Sequence, residues 1–462
     1  MDDVGRVPSS HSPGRTAVWL VVVAGVSGWA SGAGADETHY ENFRFGQMAL
    51  GLGGAVTGFL NEPEATYYNP GGLGFLQSSS FSGAINSFGI ERQRIHGWIS
   101  LDEPGRPETD GNSRESVALP TSSVLVKSFG KRRHALGYST FLVSQTRDRF
   151  TAERTIQDEV FSERLSFELS GDDRILWTGP SYGYRLKDTL GLGVSLFYAR
   201  RDNQMVEQAS ARLIDPDNPD SPSGYENVLE QFSANDGALL MRLGAMWKPN
   251  PRWSFGAMLS TPAVRLHGQG RYLFRFINTA SAFEDEAELE DSFTEISARR
   301  KARTQYPWLI ALGASTHVPK TWRLSAGLNI YMPYTYNRLE VSPEEDDDVS
   351  FVLRPRHELT INASLGSELY LAPRWPLRFG VFTNRASSPP ITGDRLATTA
   401  LPHVDLYGAS ISIGYQGPEA AINIGFEGQY GTGQTASLDA SLEDDALPFL
   451  TRDVERYRVV FF

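Results

Sequence analysis

The sequence predicts an all-β fold: an antiparallel transmembrane β-barrel of about 14 strands with an N-terminal hatch, or plug, in its lumen. Three observations lead there. Apolar and polar residues alternate with period two in segment after segment. The faces opposite the apolar ones are rich in Gly, Ser and Asn with occasional charges. Connections alternate between tight turns and long polar loops. The first observation marks strands with one apolar face. The other two are what outer-membrane barrels show, with a polar interior and loops of unequal length at the two ends.

Composition narrows the classes. Hydrophobic residues make up 40% of the 462-residue chain, too few for a helical membrane protein. The 44 glycines and 26 prolines favour strands and turns over helices. A net charge of −12 argues against nucleic acid as a partner. The chain has no cysteine, so disulfides, thiol catalysis and Cys-based metal sites are excluded, and no cofactor is called for.

At the N-terminus, Arg6 and Arg15 precede the apolar run TAVWLVVVAGVSGWA. The run has the length of a signal h-region and is short for a spanning helix. Ala33 and Ala35 stand in an A-x-A arrangement, so residues 1–35 read as a signal peptide cleaved after Ala35, with a short membrane anchor as the alternative.

Alternation then carries the chain. In TWRLSAGLNIYMPY, Trp322, Leu324, Ala326, Leu328 and Ile330 share one face, and Arg323, Ser325, Gly327 and Asn329 the other. In LGLGVSLFYAR, Leu192, Val194 and Leu196 oppose Gly191, Gly193 and Ser195. In AINIGFEGQY, Ile422, Ile424 and Phe426 oppose Asn423, Gly425 and Glu427. A soluble sandwich would alternate too, but Trp322, Trp253, Trp308, Tyr198 and Tyr334 gather near strand ends, where interfacial girdles form. Strands are expected near 79–100, 115–130, 133–154, 160–187 (with an interruption), 189–212, 225–248, 252–276, 295–318, 321–342, 349–372, 375–386, 403–416, 419–432 and 453–462. An even number places both termini in the periplasm. The closing ERYRVVFF, ending on Phe462, fits recognition by the barrel-assembly machinery. Closure leaves no strand edge exposed to lipid, the other partner of the wall. Tight turns at Gly130-Lys131, Lys187-Asp188, Pro249-Asn250, Pro319-Lys320, Pro373-Arg374 and Gly417-Pro418 fall to the periplasmic side. Loops around 103–114, 215–224, 282–295 and 344–348 fall outside the cell. Leu289, Phe293 and Ile296 have helical spacing within one of them.

Residues 36–78 do not alternate. They are glycine-rich and apolar, with Phe43, Phe45, Met48, Leu50, Leu52, Phe59 and Leu60, and they lead into ATYYNPGGLGFLQ. Such a segment is no wall strand. A barrel of this width leaves an aqueous hole unless it is filled, and this segment can fill it; packing under the barrel is the alternative. The division is thus 1–35 signal peptide, 36–78 plug and 79–462 barrel.

The Gly-rich start, the acidic spacer Asn61-Glu62-Pro63-Glu64 and YYNPGGLGFL together resemble the FadL family of outer-membrane transporters for long-chain fatty acids and other hydrophobic compounds. Asn69 and Pro70 match the family's Asn-Pro-Ala; Gly71 stands in place of the Ala, and Gly72 precedes Leu73. The stretch at 179–198 is similar to the family's mid-barrel pattern. The resemblance implies a bacterial outer-membrane location, a hydrophobic small-molecule ligand and passage through the wall rather than straight down the lumen. Asn69, Pro70, Gly71, Gly72 and Leu73 are expected to shape the hatch; Phe59, Leu60, Tyr67, Tyr68 and Phe75 are expected to hold it or line an apolar path. A non-transporting barrel that scaffolds secretion or surface attachment is the second function class. A third, an outer-membrane hydrolase, has no motif behind it: the eight histidines are scattered, with no HExxH and no G-x-S-x-G.

Overall fold

The computed structural model describes residues 37–99, 109–157, 162–215, 218–279, 292–339, 355–391, 401–417, 420–438 and 449–462. The expected signal peptide, Leu289 and the acidic run at 344–348 lie outside them. No helix of the described residues is long and apolar enough to cross a membrane.

The strands are β1 (Ser80–Ile99), β2 (Thr109–Phe129), β3 (His134–Gln157), β4 (Ser162–Lys187), β5 (Leu190–Asp215), β6 (Asn218–Trp247), β7 (Trp253–Ser260), β8 (Val264–Thr279), β9 (Ser292–Arg300), β10 (Leu309–Val318), β11 (Trp322–Tyr331), β12 (Tyr334–Thr335), β13 (Arg356–His357), β14 (Thr360–Ala372), β15 (Trp375–Asn384), β16 (His403–Gln416), β17 (Ala421–Leu438) and β18 (Phe449–Phe461). Fourteen of them, β1 to β7, β10, β11 and β14 to β18, pair each with the next, and β18 returns to β1. All pairs are antiparallel, and the ring of pairings returns on itself, which keeps strand edges from lipid wherever the ladders run.

Four strands read as continuous are broken, whereas the one expected to be interrupted, 160–187, is the unbroken β4. The expected strand 321–342 holds β11 and β12, separated by Met332-Pro333, and 349–372 holds β13 and β14, separated by Glu358-Leu359. The expected strand 252–276 is β7 and β8, separated by Thr261-Pro262-Ala263, and the expected strand 295–318 is β9 and β10, separated by residues 301–308 with Pro307 among them. Proline cannot donate to a ladder, and Pro262, Pro307 and Pro333 stand in three of the four breaks. Beyond the breaks, β8 pairs with β6 and β9 with β8. The helical spacing of Phe293 and Ile296 does not form a helix, because both lie in β9.

The expected outer loops also lose residues to strands. β6 runs for 30 residues and β5 for 26, whereas crossing a bilayer takes about 9–11. Residues 109–114, 215, 218–224 and 292–295 therefore lie in ladders. A polar hairpin outside the membrane keeps its hydrogen bonds without needing an apolar face, so composition does not reveal where it ends.

The assigned faces follow the alternation. Leu324, Leu312, Ile424 and Leu125 point outward and are 51%, 43%, 66% and 60% exposed, forming the lipid-facing surface. Within the ring lie a short helix α1 (Gln47–Gly51), a helical turn α2 (Ala65–Tyr68) and a 3₁₀ helix (Pro70–Phe75). Phe45, Leu52, Val56 and Leu60 are buried together with inward residues Phe141 and Phe197 of the wall. The Arg456 and Arg458 face of β18 also turns inward: Arg456 pairs with Glu91, and Arg458 donates to the Asn42 carbonyl at 2.7 Å.

One seam is open. β2 and β3 pair only from Ser122↔Phe141 down to Phe129↔His134. Farther along, β2 stays paired to β1 and β3 to β4, with β3 bulging between Leu142 and Ser144. The two strands approach again where the Arg149 amide donates to Ser113 Oγ at 3.4 Å. The result is a stretch of wall without ladder pairing, a window in the ladder bounded at both ends.

Leu328 lies opposite Leu312 on the lipid face, while Asn329 Nδ2 donates to Glu41 Oε1 of the plug at 2.8 Å. Leu328→Arg is expected to destabilise the folded barrel by about 2–4 kcal/mol, whereas Asn329→Ala should lose only one hydrogen bond. Equal effects on urea unfolding, followed by heat-modifiable gel migration, would refute these faces.

Candidate functional site

The plug is held by its backbone. It forms no ladder of its own, so its carbonyls need donors from elsewhere. The wall supplies them: Ser195 Oγ to Thr66 O at 2.7 Å, Ser254 Oγ to Gly58 O at 2.5 Å, Arg185 Nε to Gly74 O at 2.9 Å and Ser410 Oγ to Gly51 O at 3.3 Å. Arg242 donates to the Tyr67 carbonyl and lies 4.0 Å over that residue's ring.

Asn69 organises the motif. It is fully buried. Its Oδ1 accepts from the Gly71 amide at 3.1 Å, capping the 3₁₀ helix that Pro70 opens. Its Nδ2 donates to Thr57 O at 2.9 Å and to Ala245 O of β6 at 3.0 Å, so one side chain ties two plug segments to the wall. The glycines that follow serve a close approach. Gly71 and Gly72 are not among the positive-φ residues, so conformational freedom is not why they are needed. A Cβ on Gly71 would fall 2.8 Å from the Ala245 backbone, and one on Gly244 of the wall 2.7 Å from the Gly71 nitrogen.

Of the remaining motif and path residues, Leu73, Phe59, Leu60 and Phe75 are buried in packing, Phe75 beneath Lys248 and Arg185 at the tight-turn end of the ring. Tyr68 OH accepts from the Phe45 amide at 2.9 Å. Tyr67 lines a cavity.

That cavity, about 80 Å³, lies on the plug's other side, toward the long hairpins. Tyr40, Tyr67, Trp177, Tyr306, Tyr331, Tyr334 and Tyr336 line it. Tyr40 stacks on Tyr331 at 4.2 Å, and Trp177 meets Tyr306 edge-on at 5.4 Å. Val143 and Ser144, at the bulge that borders the β2–β3 window, line it as well. Its polar corner is Glu37, paired with Arg201 and with Arg338 at 3.2 Å, while Arg201 grips Asp173 through two bonds of 2.9 and 3.0 Å. Burial opposes charge on Glu37, but Arg201 and Arg338 outweigh it and hold the carboxyl down at about 2.

Trp177, Arg201, Arg242 and Tyr306 were not singled out from the sequence. Their signal is faint: Trp177 and Arg201 occupy inward positions where the pattern otherwise offers Gly or Ser, and Tyr306 lies in the proline-marked break. At about 80 Å³ the cavity has roughly half the ~150 Å³ of an engineered apolar cavity that binds benzene. Among the described residues no cluster of His, Asp and Glu could hold a metal.

Residues 23–446 match the family of outer membrane protein transport proteins described as OMPP1/FadL/TodX. No curated protein matches the sequence. The fold is similar to the crystal structure of a Pseudomonas aeruginosa FadL homologue, at 16% identity with a TM-score of 0.60 over 93% of this chain and 98% of that one. It is also similar to the Pseudomonas putida toluene transporter TodX, at 11% identity with a TM-score of 0.55 over 90% and 97%.

Two outcomes test the plug's seating. Gly244→Val suits a strand but drives a side chain into the Gly71 backbone. The wall should still assemble while protease access to residues 47–76 rises at least tenfold; unchanged access would refute the contact. The second concerns Glu62. Burial, and then Glu64, raise its carboxyl to about 7 against the pull of Arg378 and Arg323, with Glu368 adding to the rise. A raised carboxyl favours the docked plug below about 4.5, and that stability is lost as pH climbs through about 7. Protection factors of plug amides, taken relative to the free-amide exchange rate at each pH, should be lower at pH 8 than at pH 5, and Glu62→Gln should flatten the difference.

Proposed function

Because the chain belongs to the OMPP1/FadL/TodX family of outer membrane transport proteins, which are transport channels and not enzymes, we propose that it takes up a small hydrophobic compound across the outer membrane. The compound enters among the long hairpins and rests in the aromatic chamber between Tyr40, Trp177, Tyr306 and Tyr331. The plug blocks the way straight down, so it leaves through the window between β2 and β3. The observation that carries this reading is the meeting of chamber and window at Val143 and Ser144.

The chemistry agrees with a ring-sized guest better than with a long acyl chain. Aromatic faces and edges receive a flat apolar molecule, and a space of about 80 Å³ is far too small to enclose a long acyl chain. Burying apolar groups there gains about 0.8 kcal/mol per CH₂ equivalent. The charged corner is internally paired, so it asks nothing of the ligand. A fatty acid would have to extend into the window or displace the plug's first residues. The hatch motif from Asn69 to Leu73 acts as a fixed floor, and its slower movement is not required for each passage.

Val143→Trp places a bulky ring where chamber and window join. Uptake of toluene into proteoliposomes should fall at least tenfold while heat-modifiable migration stays that of the native barrel. Uptake unchanged by V143W would refute the lateral route. Absence of any uptake or binding of toluene or oleate by the native protein would refute transport and favour the scaffold reading.

A further inference from the structure

We infer that the outer surface of β4, β5, β6, β8 and β9, just beyond the lipid-facing band, binds the phosphate groups of an anionic lipid. Two rows of outward side chains cross this sheet in register. One runs Arg174↔Asp202↔Asn235↔Gln269. The next runs Arg147↔Asp172↔Gln204↔Ser233↔Arg271↔Arg299. Together they line an open groove of about 960 Å³, to which Arg300 and Lys301 also contribute.

The height of these rows fits a headgroup. Outward residues of β4 start with Leu186 by the tight turn and pass Tyr182 to reach Leu176. With a rise of about 3.3 Å per residue and a tilt near 40°, that stretch climbs ~25 Å, the height of an outward apolar band. Arg174 is the next outward residue. Tyr198 OH and His267 Nε2, 2.8 Å apart, mark the girdle just below.

The charges fit a phosphate. The chain as a whole carries −12, yet this groove gathers five cations against two carboxylates. Both carboxylates are already engaged: Asp172 with Arg147 at 2.9 Å, and Asp202 with Arg200 at 3.0 Å and with the Asn235 amide. Among the described residues, Arg174, Arg271 and Arg299 have no carboxylate partner. All three are exposed. Guanidinium forks match phosphate oxygens two at a time, and the amides of Gln204 and Gln269 add donors beside them. With the hairpins outside the cell, an orientation this inference takes from the transport reading, the groove faces the outer leaflet. The occupant is then the phosphorylated glycolipid of that leaflet.

The test uses the purified full chain in detergent, titrated with bisphosphorylated lipid A and followed by native mass spectrometry. Arg174→Gln/Arg271→Gln/Arg299→Gln should weaken binding about a hundredfold, near fivefold per cation, and the triple lysine variant should retain most of it. Enzymatically dephosphorylated lipid A should bind the native protein no better than the triple glutamine variant binds intact lipid A. Equal affinities of native protein and triple glutamine variant, undiminished binding of dephosphorylated lipid, or phosphatidylglycerol binding as well as lipid A would overturn the proposal. Toluene uptake should be unchanged in the triple variant, so failure of lipid binding and failure of transport are separable.

Discussion

Backbone lies on backbone where plug meets wall, and most of the molecule's unusual features follow from that contact. Inward positions of β5, β6, β7, β10 and β15 carry Gly193, Gly244, Gly256, Gly313 and Gly380, and each faces plug main chain. Side chains there would keep the two apart. Once the main chains touch, the plug's carbonyls are out of reach of water, and serines and arginines of the wall must replace it. The inward Gly, Ser and Arg are therefore one device: room for the approach and donors to satisfy it. The plug needs little regular structure as a result, and α1, α2 and the 3₁₀ helix together are short.

Charge then locks the filled lumen. Arg44 of the plug meets Glu427 of β17 at 2.8 Å with both side chains nearly inaccessible, and Arg378 meets Glu368 at 2.7 Å between neighbouring wall strands. Such pairs cost desolvation when formed, and breaking one by removing a single partner leaves a buried charge alone. They add little net stability, but they make intermediate positions of the plug unfavourable. A segment held this way is docked or displaced, not loosely shifting. That favours a route for ligand that leaves the plug in place.

The sequence announced the barrel clearly, because membrane strands must alternate and the alternation survives in residues such as Leu324 against Ser325. It also marked Asn69 and Pro70, since the Asn-Pro pair is unusual within an apolar run. It misled over the lumen. Gly, Ser and Asn facing inward read only as a polar interior, whereas many of those glycines contact the plug; a small residue looks the same whether water or backbone adjoins it. Pro262, Pro307 and Pro333 marked three of the four strand breaks, but the strong alternation on either side masked them. The chamber was the least legible part. Trp177 and Tyr331 come from distant strands and Tyr306 from the break before β10, and they acquire a common role only when the ring brings them together.

The sequence separation of the plug's contacts sets an order on how the molecule is made. Arg44 and its partner Glu427 are 383 residues apart, and Arg458 reaches back 416 residues to the carbonyl of Asn42. The plug emerges first from synthesis, and the strands that enclose it emerge last. Contacts so far apart form slowly, because a long loop must close before they reward it. Until β17 and β18 arrive, the plug's apolar face and unpaired carbonyls have no home. Ring closure and plug capture are thus a single late event, so a chain truncated near its C-terminus should lose both together.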